Sequence, residues 1–144
     1  MEKPLDIYLT KYSDTLISLS DRTKLAKTLK ADLFISLHCN HSNNPDARGI
    51  EVYVANAMSK YSDNATWFAF QVQDDLNKSL GFESRGVKFA NFQVLRETIG
   101  YSPSVLLEFG FLSNRDEANF VSNDKNLNVI VLLLIYNPYF KLTQ

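Results

Sequence analysis

A layered α/β fold is what this sequence predicts: three layers, with a mostly parallel sheet flanked by helices. Three observations lead there. Apolar runs of strand length alternate along the chain with segments of helical periodicity. Two runs, Leu33-Phe34-Ile35-Ser36-Leu37 and Val105-Leu106-Leu107, are nearly continuous rather than alternating, as in strands covered on both faces. No internal repeat, linker or low-complexity tract divides the 144 residues, so residues 1–144 read as a single domain with a core large enough to need no staples.

Taken in order, residues 6–10 read as a short strand and Ser13-Asp14-Thr15 as a turn. Residues 18–30 carry Leu19, Arg22, Leu25, Ala26 and Leu29 at helical spacing, with Ser18 or Ser20 as cap. Residues 32–37 form the first buried strand. The polar stretch that follows, from His38 to Arg48, reads as a loop. Ile50, Val52 and Val54 alternate and mark a strand over 49–54. Trp67, Phe68, Val72, Leu76 and Leu80 predict a long helix over about 63–80, stopped by Gly81. Residues 87–90 and 92–95 read as short extended segments. Residues 104–108 form a strand opened by Pro103 and ending on Glu108, and residues 115–121 and 125–136 close the chain as helices.

Composition narrows the function classes. Fifteen Lys and Arg against sixteen Asp and Glu leave a net charge of −1, with no electrostatic footprint for nucleic acid or an anionic membrane. A single cysteine, Cys39, excludes an internal disulfide and a Cys-rich zinc cluster. The most apolar run, 129–136, has eight residues against the roughly 20 a membrane span needs, so no transmembrane segment is expected. It reads as a buried terminal helix or strand stopped by Pro138. No signal peptide is visible, because Met1-Glu2-Lys3-Pro4 leads into Leu5-Asp6-Ile7-Tyr8 without an apolar stretch of secretory length.

Ligands in open α/β sheets bind outside the carboxyl ends of strands, and two polar groups sit at such ends. His38 follows Leu33–Leu37, and Glu108 follows Val105-Leu106-Leu107. If these strands are neighbours, an imidazole and a carboxylate converge, which suits a metal ligand beside a general base. The plainer alternatives are a hydrogen-bonded structural histidine and a glutamate paired with an arginine. His41 stands at His-x-x-His spacing and reads as a chelating or a solvated loop residue. Cys39 reads as a small packed residue or a thiolate ligand.

Several motifs in order resemble one family. Leu9-Thr10 with Asp14, then Leu19-Ser20-Asp21-Arg22, resemble an "LTR..D….L..R" opening, with Lys11 in place of the Arg. Ala31-Asp32-Leu33-Phe34-Ile35-Ser36-Leu37-His38-Cys39-Asn40 is similar to "ADLFISIHAN", and Gly49-Ile50-Glu51-Val52-Tyr53 to "GvevyY". Arg85-Gly86-Val87-Lys88 with Phe92-Gln93-Val94-Leu95-Arg96 resembles "RGVK…f.VLR", and Leu107-Glu108-Phe109-Gly110-Phe111-Leu112-Ser113-Asn114 resembles "vElGFLSN". The family is the zinc-dependent N-acetylmuramoyl-L-alanine amidases, and the resemblance runs from about Leu5 to Phe140.

The resemblance implies cleavage of the amide between the lactyl group of N-acetylmuramic acid and the first L-alanine of the stem peptide. It implies peptidoglycan or muramyl peptides as partners, zinc as cofactor, and a cell-envelope location, periplasmic or secreted. Family members hold zinc with a His, a Glu and a second His, and a late glutamate activates water. His38 matches the second zinc histidine, Glu108 the catalytic glutamate, and Asn40 a substrate-positioning residue. The family's "DPGHGG" loop and the helix bearing the zinc glutamate have no counterpart here, so an incomplete metal site is expected. A strand missing from the sheet would leave an open edge prone to self-association. Three readings stay open: a segment of a working amidase, a non-catalytic peptidoglycan-binding or structural module, or a hydrolase that completes its site with His41, Asp46, Glu51 or a partner chain.

Overall fold

Among residues 5–137, which this computed structural model describes, strands and helices alternate. They are α1 (Leu19–Thr28), β1 (Phe34–Asn40), β2 (Ile50–Ala55), α2 (Ser62–Leu80), β3 (Ser84–Ala90), α3 (Gln93–Thr98), β4 (Ser104–Phe111), α4 (Arg115–Val121) and α5 (Asp124–Ile135). The sheet order is β1-β4-β2-β3. β1 runs parallel to β4 and β2 parallel to β3, while β2 and β4 are antiparallel, so the sheet is mixed and mostly parallel as expected.

Strand alternation sorts the side chains onto two faces. Ile50, Val52, Val54, Val105 and Leu107 share one face and are buried beneath Ala65, Phe68, Val72 and Leu76 of α2, which lie at helical spacing. Gly81, at φ 72°, ends that helix in the left-handed conformation. On the opposite face α1 and α3 pack together, joined where Thr23 donates to Glu97 over 2.6 Å. The Phe92 ring at the start of α3 meets Tyr53 of β2 edge-on. This gives the three layers.

Several elements differ from the sequence reading. Residues 6–10 form no strand: among the described residues nothing offers them a ladder, and Ile7, Tyr8 and Leu9 are exposed. β1 continues through His38 to Asn40, where polar composition suggested a loop, because β4 supplies a partner as far as Phe111. Residues 92–95 open a helix rather than an extended segment. Val94, Leu95, Thr98 and Ile99 make one buried helical face, a period that a four-residue window cannot show. The apolar run near the end is helix α5, with Ile130 and Leu134 buried but Val129, Val131 and Leu132 exposed. No described helix is long and apolar enough to cross a membrane. The readings made at residues 1–4 and Pro138 lie outside the described residues.

Two features hold the site end of the sheet. Buried Glu117 of α4 accepts from the backbone N–H of Gly49 and of Phe111, each over 2.7 Å, tying the start of β2 to the end of β4. Gly110, at φ +66°, makes room: a Cβ there would stand 2.6 Å from the Glu117 carboxylate. At the other extreme β1 pairs only with β4 among the described residues, so its outer edge is open, and Leu37 on it is half-exposed.

Candidate active site

The registers place three polar side chains in one row across the face of the sheet opposite α2. His38 on β1 is directly opposite Glu108 on β4, and Glu108 is directly opposite Glu51 on β2. Since neighbouring strands lie about 4.8 Å apart, the row spans roughly 10 Å between the outer two backbones. The expected convergence of His38 and Glu108 is therefore present, as adjacent partners on a parallel pair.

His38 is hydrogen-bonded through Nε2 to Ser36 Oγ at 2.7 Å, two residues back on the same face. Burial, reinforced by the field of Arg22, lowers its pKa and favours the neutral ring that can accept a proton or bind a metal. Glu108 behaves oppositely. Burial and the nearby charge of Glu51 raise its pKa, and its Oε2 is buried without a hydrogen-bond partner among the described residues. The arginine partner considered for it is absent among the described residues, because the basic groups here belong to Glu51.

Glu51 is the residue that reading the sequence placed least well. It stands 3% exposed, and its Oε1 accepts from Arg85 Nε and Lys88 Nζ, both at 2.7 Å. Its Oε2 accepts from the Tyr53 hydroxyl at 2.5 Å and from Asn40 Nδ2 at 3.4 Å. Burial alone would raise this carboxyl, but the bonds from Lys88, Tyr53 and Arg85 outweigh it and hold its pKa at about 2. Its signal was there to read: in Ile50-Glu51-Val52-Tyr53-Val54 the polar residues occupy the face opposite the apolar ones.

Asn40 is thus turned toward Glu51, and its Oδ1 accepts from the His41 backbone N–H at 2.8 Å. Cys39 is a free cysteine at the surface of the sheet, and partial desolvation together with the charge of Glu108 raises its pKa and disfavours the thiolate. His41 is exposed in the loop after β1. Among the described residues no three of His, Cys, Asp and Glu are grouped to hold a metal, so His41, Asp46 and Glu51 do not complete a site with His38. A catalytic zinc takes three protein ligands and a water. The donors among the described residues do not amount to such a site.

A groove of about 450 Å³ lies elsewhere, between α1 and α3, lined by Thr23, Lys27, Arg96, Glu97 and Tyr101 among others. Its one carboxylate is already engaged by Thr23 and Gln93.

Comparison with known proteins shows which family this fold belongs to. The family model described as N-acetylmuramoyl-L-alanine amidase matches residues 1–134. The N-acetylmuramoyl-L-alanine amidase LytC of Bacillus subtilis (strain 168) is 36% identical over 113 residues, covering 77% of this chain and 22% of that protein. The endolysin of Bacillus phage SPP1 is 36% identical over 124 residues, covering 85% of this chain and 44% of that one. The chain therefore spans less than half the length of these curated relatives. Among solved structures, the catalytic domain of CwlV from Bacillus (Paenibacillus) polymyxa var. colistinus superposes with a TM-score of 0.77 at 33% identity, covering 90% of this chain and 68% of that one.

Proposed function

The chain belongs to the N-acetylmuramoyl-L-alanine amidase family, and on that premise we propose that residues 1–144 are one domain acting on peptidoglycan of the cell envelope, at the amide between N-acetylmuramic acid and L-alanine. The observation that carries the proposal is the direct pairing of His38 with Glu108, the latter buried with an unpartnered oxygen. A carboxylate with a raised pKa is suited to shuttle a proton near neutrality. Glu108 takes a proton from the attacking water as its oxygen bonds to the amide carbon. It then delivers that proton to the nitrogen as the C–N bond breaks, releasing an amine and a carboxylic acid whose own proton passes to solvent or to the amine.

Zinc is the family's cofactor, and His38 is the one ligand we assign to it among the described residues. The described residues group no further donors around it into a three-ligand site. Asn40 we assign to substrate positioning, through its contact with Glu51.

The test pairs zinc content with turnover. Protein reloaded with zinc and analysed for metal should carry close to one zinc per chain if ligands beyond the described residues complete the site, and should then release L-alanyl peptides from muropeptides. Glu108→Gln should abolish release while zinc stays bound, and His38→Ala should strip the metal. A Glu108→Gln protein with the wild-type rate would remove Glu108 from the role of base. That the described residues group no three such donors favours a second reading, a peptidoglycan-binding module without turnover. Zinc near zero together with muropeptide binding and no cleavage would establish it. We also propose self-association through the open edge of β1, which sedimentation would report as a concentration-dependent mass.

A further inference from the structure

We infer that a second copy of this chain pairs antiparallel along the open edge of β1, about a two-fold axis at Leu37, and so sets the partner subunit's Ser36 directly opposite His38. This pairing rests on the self-association proposed above and specifies its edge, direction and register.

The sheet has two outer strands, β1 and β3, and only one of them is protected. β3 carries Arg85 and Lys88, so two β3 edges would bring like charges together. Its register with β2 slips from Ile50 opposite Ser84 to Val52 opposite Val87, which leaves an extra residue on β3, where Gly86 has a φ of +88°. Charges and bulges are among the devices that keep sheet edges from pairing. β1 has neither. Phe34–Asn40 contains no Lys, Arg, Asp or Glu. The slip beside it, from His38 opposite Glu108 to Asn40 opposite Phe111, puts the extra residue on β4 instead. Leu37, on the same face as its register partner Leu107, is 51% exposed.

Direction and register follow from the backbone. The Phe34 N–H donates to the Pro103 carbonyl at 3.0 Å, and the Asn40 carbonyl accepts from the Leu112 N–H at 2.8 Å. Successive residues of a strand turn their N–H and C=O to opposite sides. Phe34, Ser36, His38 and Asn40 therefore address β4, while Ile35, Leu37 and Cys39 present theirs to the open edge. These outward groups are symmetric about Leu37. Antiparallel pairing there matches Ile35 with the partner subunit's Cys39, Leu37 with the partner subunit's Leu37, and Cys39 with the partner subunit's Ile35. Each pair exchanges both N–H···O bonds. Moving the axis to Ser36 or to His38 sets Cys39 or Ile35 opposite a residue outside β1. The contact is isologous, so it closes at two copies. Between the bonded pairs, His38 and the partner subunit's Ser36 have Cα atoms about 4.5 Å apart. The row of Glu51, Glu108 and His38 thus continues into the partner, and on the other face the two exposed Leu37 side chains cover each other.

Hydrogen exchange of the full wild-type chain, followed residue by residue at rising protein concentration, decides it. The amides of Ile35, Leu37 and Cys39 should slow by at least about tenfold as sedimentation reports the dimer, with those of β3 unchanged. Oxidative cross-linking then fixes the register. Leu37→Cys in a Cys39→Ser background should form a covalent dimer, because the paired Cα atoms stand about 5.5 Å apart, within disulfide range. Phe89→Cys in the same background, on the β3 edge and equally exposed, should not. A dimer whose Ile35, Leu37 and Cys39 amides exchange as in the monomer, or one cross-linked through Phe89 and not Leu37, would overturn this pairing while self-association stands. A wild type that stays monomeric would remove both. Exchange is read on the unaltered chain, so the matter is decided even if the cysteine variants do not fold.

Discussion

Replacing Glu51 by Gln removes a single charge from the centre of the polar row, and the structure sets the size of the effect. A carboxyl held at about 2 rather than 4.5 reflects roughly 3 kcal/mol favouring the ionised form in the folded state. Arg85 and Lys88 are each more than a third exposed, so solvent screening brings the expected loss to about 2 kcal/mol. With a urea slope near 2 kcal/mol/M, reasonable for a domain of this size, the unfolding midpoint at pH 7 should fall by about 1 M. The pH dependence carries its own sign. A depressed folded-state pKa contributes stability above the unfolded value, and that contribution is lost as pH falls toward the folded one. The gap between wild type and variant should therefore be full at pH 6–7, shrink below about 4.5, and be mostly gone by pH 2.5. Urea melts followed by tryptophan fluorescence at these pH values provide the assay. Coincident midpoints at pH 7, or a gap as wide at pH 2.5 as at pH 7, would refute the account of Glu51 as a strongly paired carboxylate.

Other positions give sharper local tests. Gly110→Ala forces a Cβ into a left-handed position 2.6 Å from the Glu117 carboxylate and should cost at least about 2 kcal/mol. That loss is a drop of several degrees in Tm, and a melt within a degree of wild type would contradict it. Glu117→Gln leaves one acceptor oxygen for two N–H groups and should cost about 1–3 kcal/mol. The Gly49 and Phe111 amides should then exchange faster, and unchanged protection would mean that Glu117 does not tie β2 to β4. Leu37→Lys places a charge on the open edge strand and should lower any concentration-dependent mass in sedimentation. An unaltered mass distribution from a self-associating wild type would move the contact away from β1.

How legible the molecule was varied with the kind of signal. Long periodic segments were plain: α2 occupies the stretch marked by Phe68, Val72, Leu76 and Gly81, and the buried runs became β1 and β4. Short segments were not. Residues 92–95 read as extended in isolation, and only the burial of Leu95, Thr98 and Ile99 reveals the helical face. Residues 6–10 have strand character without a partner, and a strand exists only as part of a ladder.

The candidate site divides along the same line. The sequence reading put His38 and Glu108 at strand ends, but β1 runs on to Asn40 and β4 to Phe111, because each supplies the other's partner; the order of the motifs pointed to the family. The sequence alone determined the elements with strong period and the residue types available for chemistry. Only the tertiary structure decided that β1 and β4 are neighbours in the register pairing His38 with Glu108, and that Glu51 faces both from the far side. It also decided that Arg85 and Lys88, on a strand more than thirty residues later, close on Glu51. The physical reason is range. Periodicity and capping are governed by neighbours within a turn or two, whereas strand order and register depend on which distant faces can be buried together.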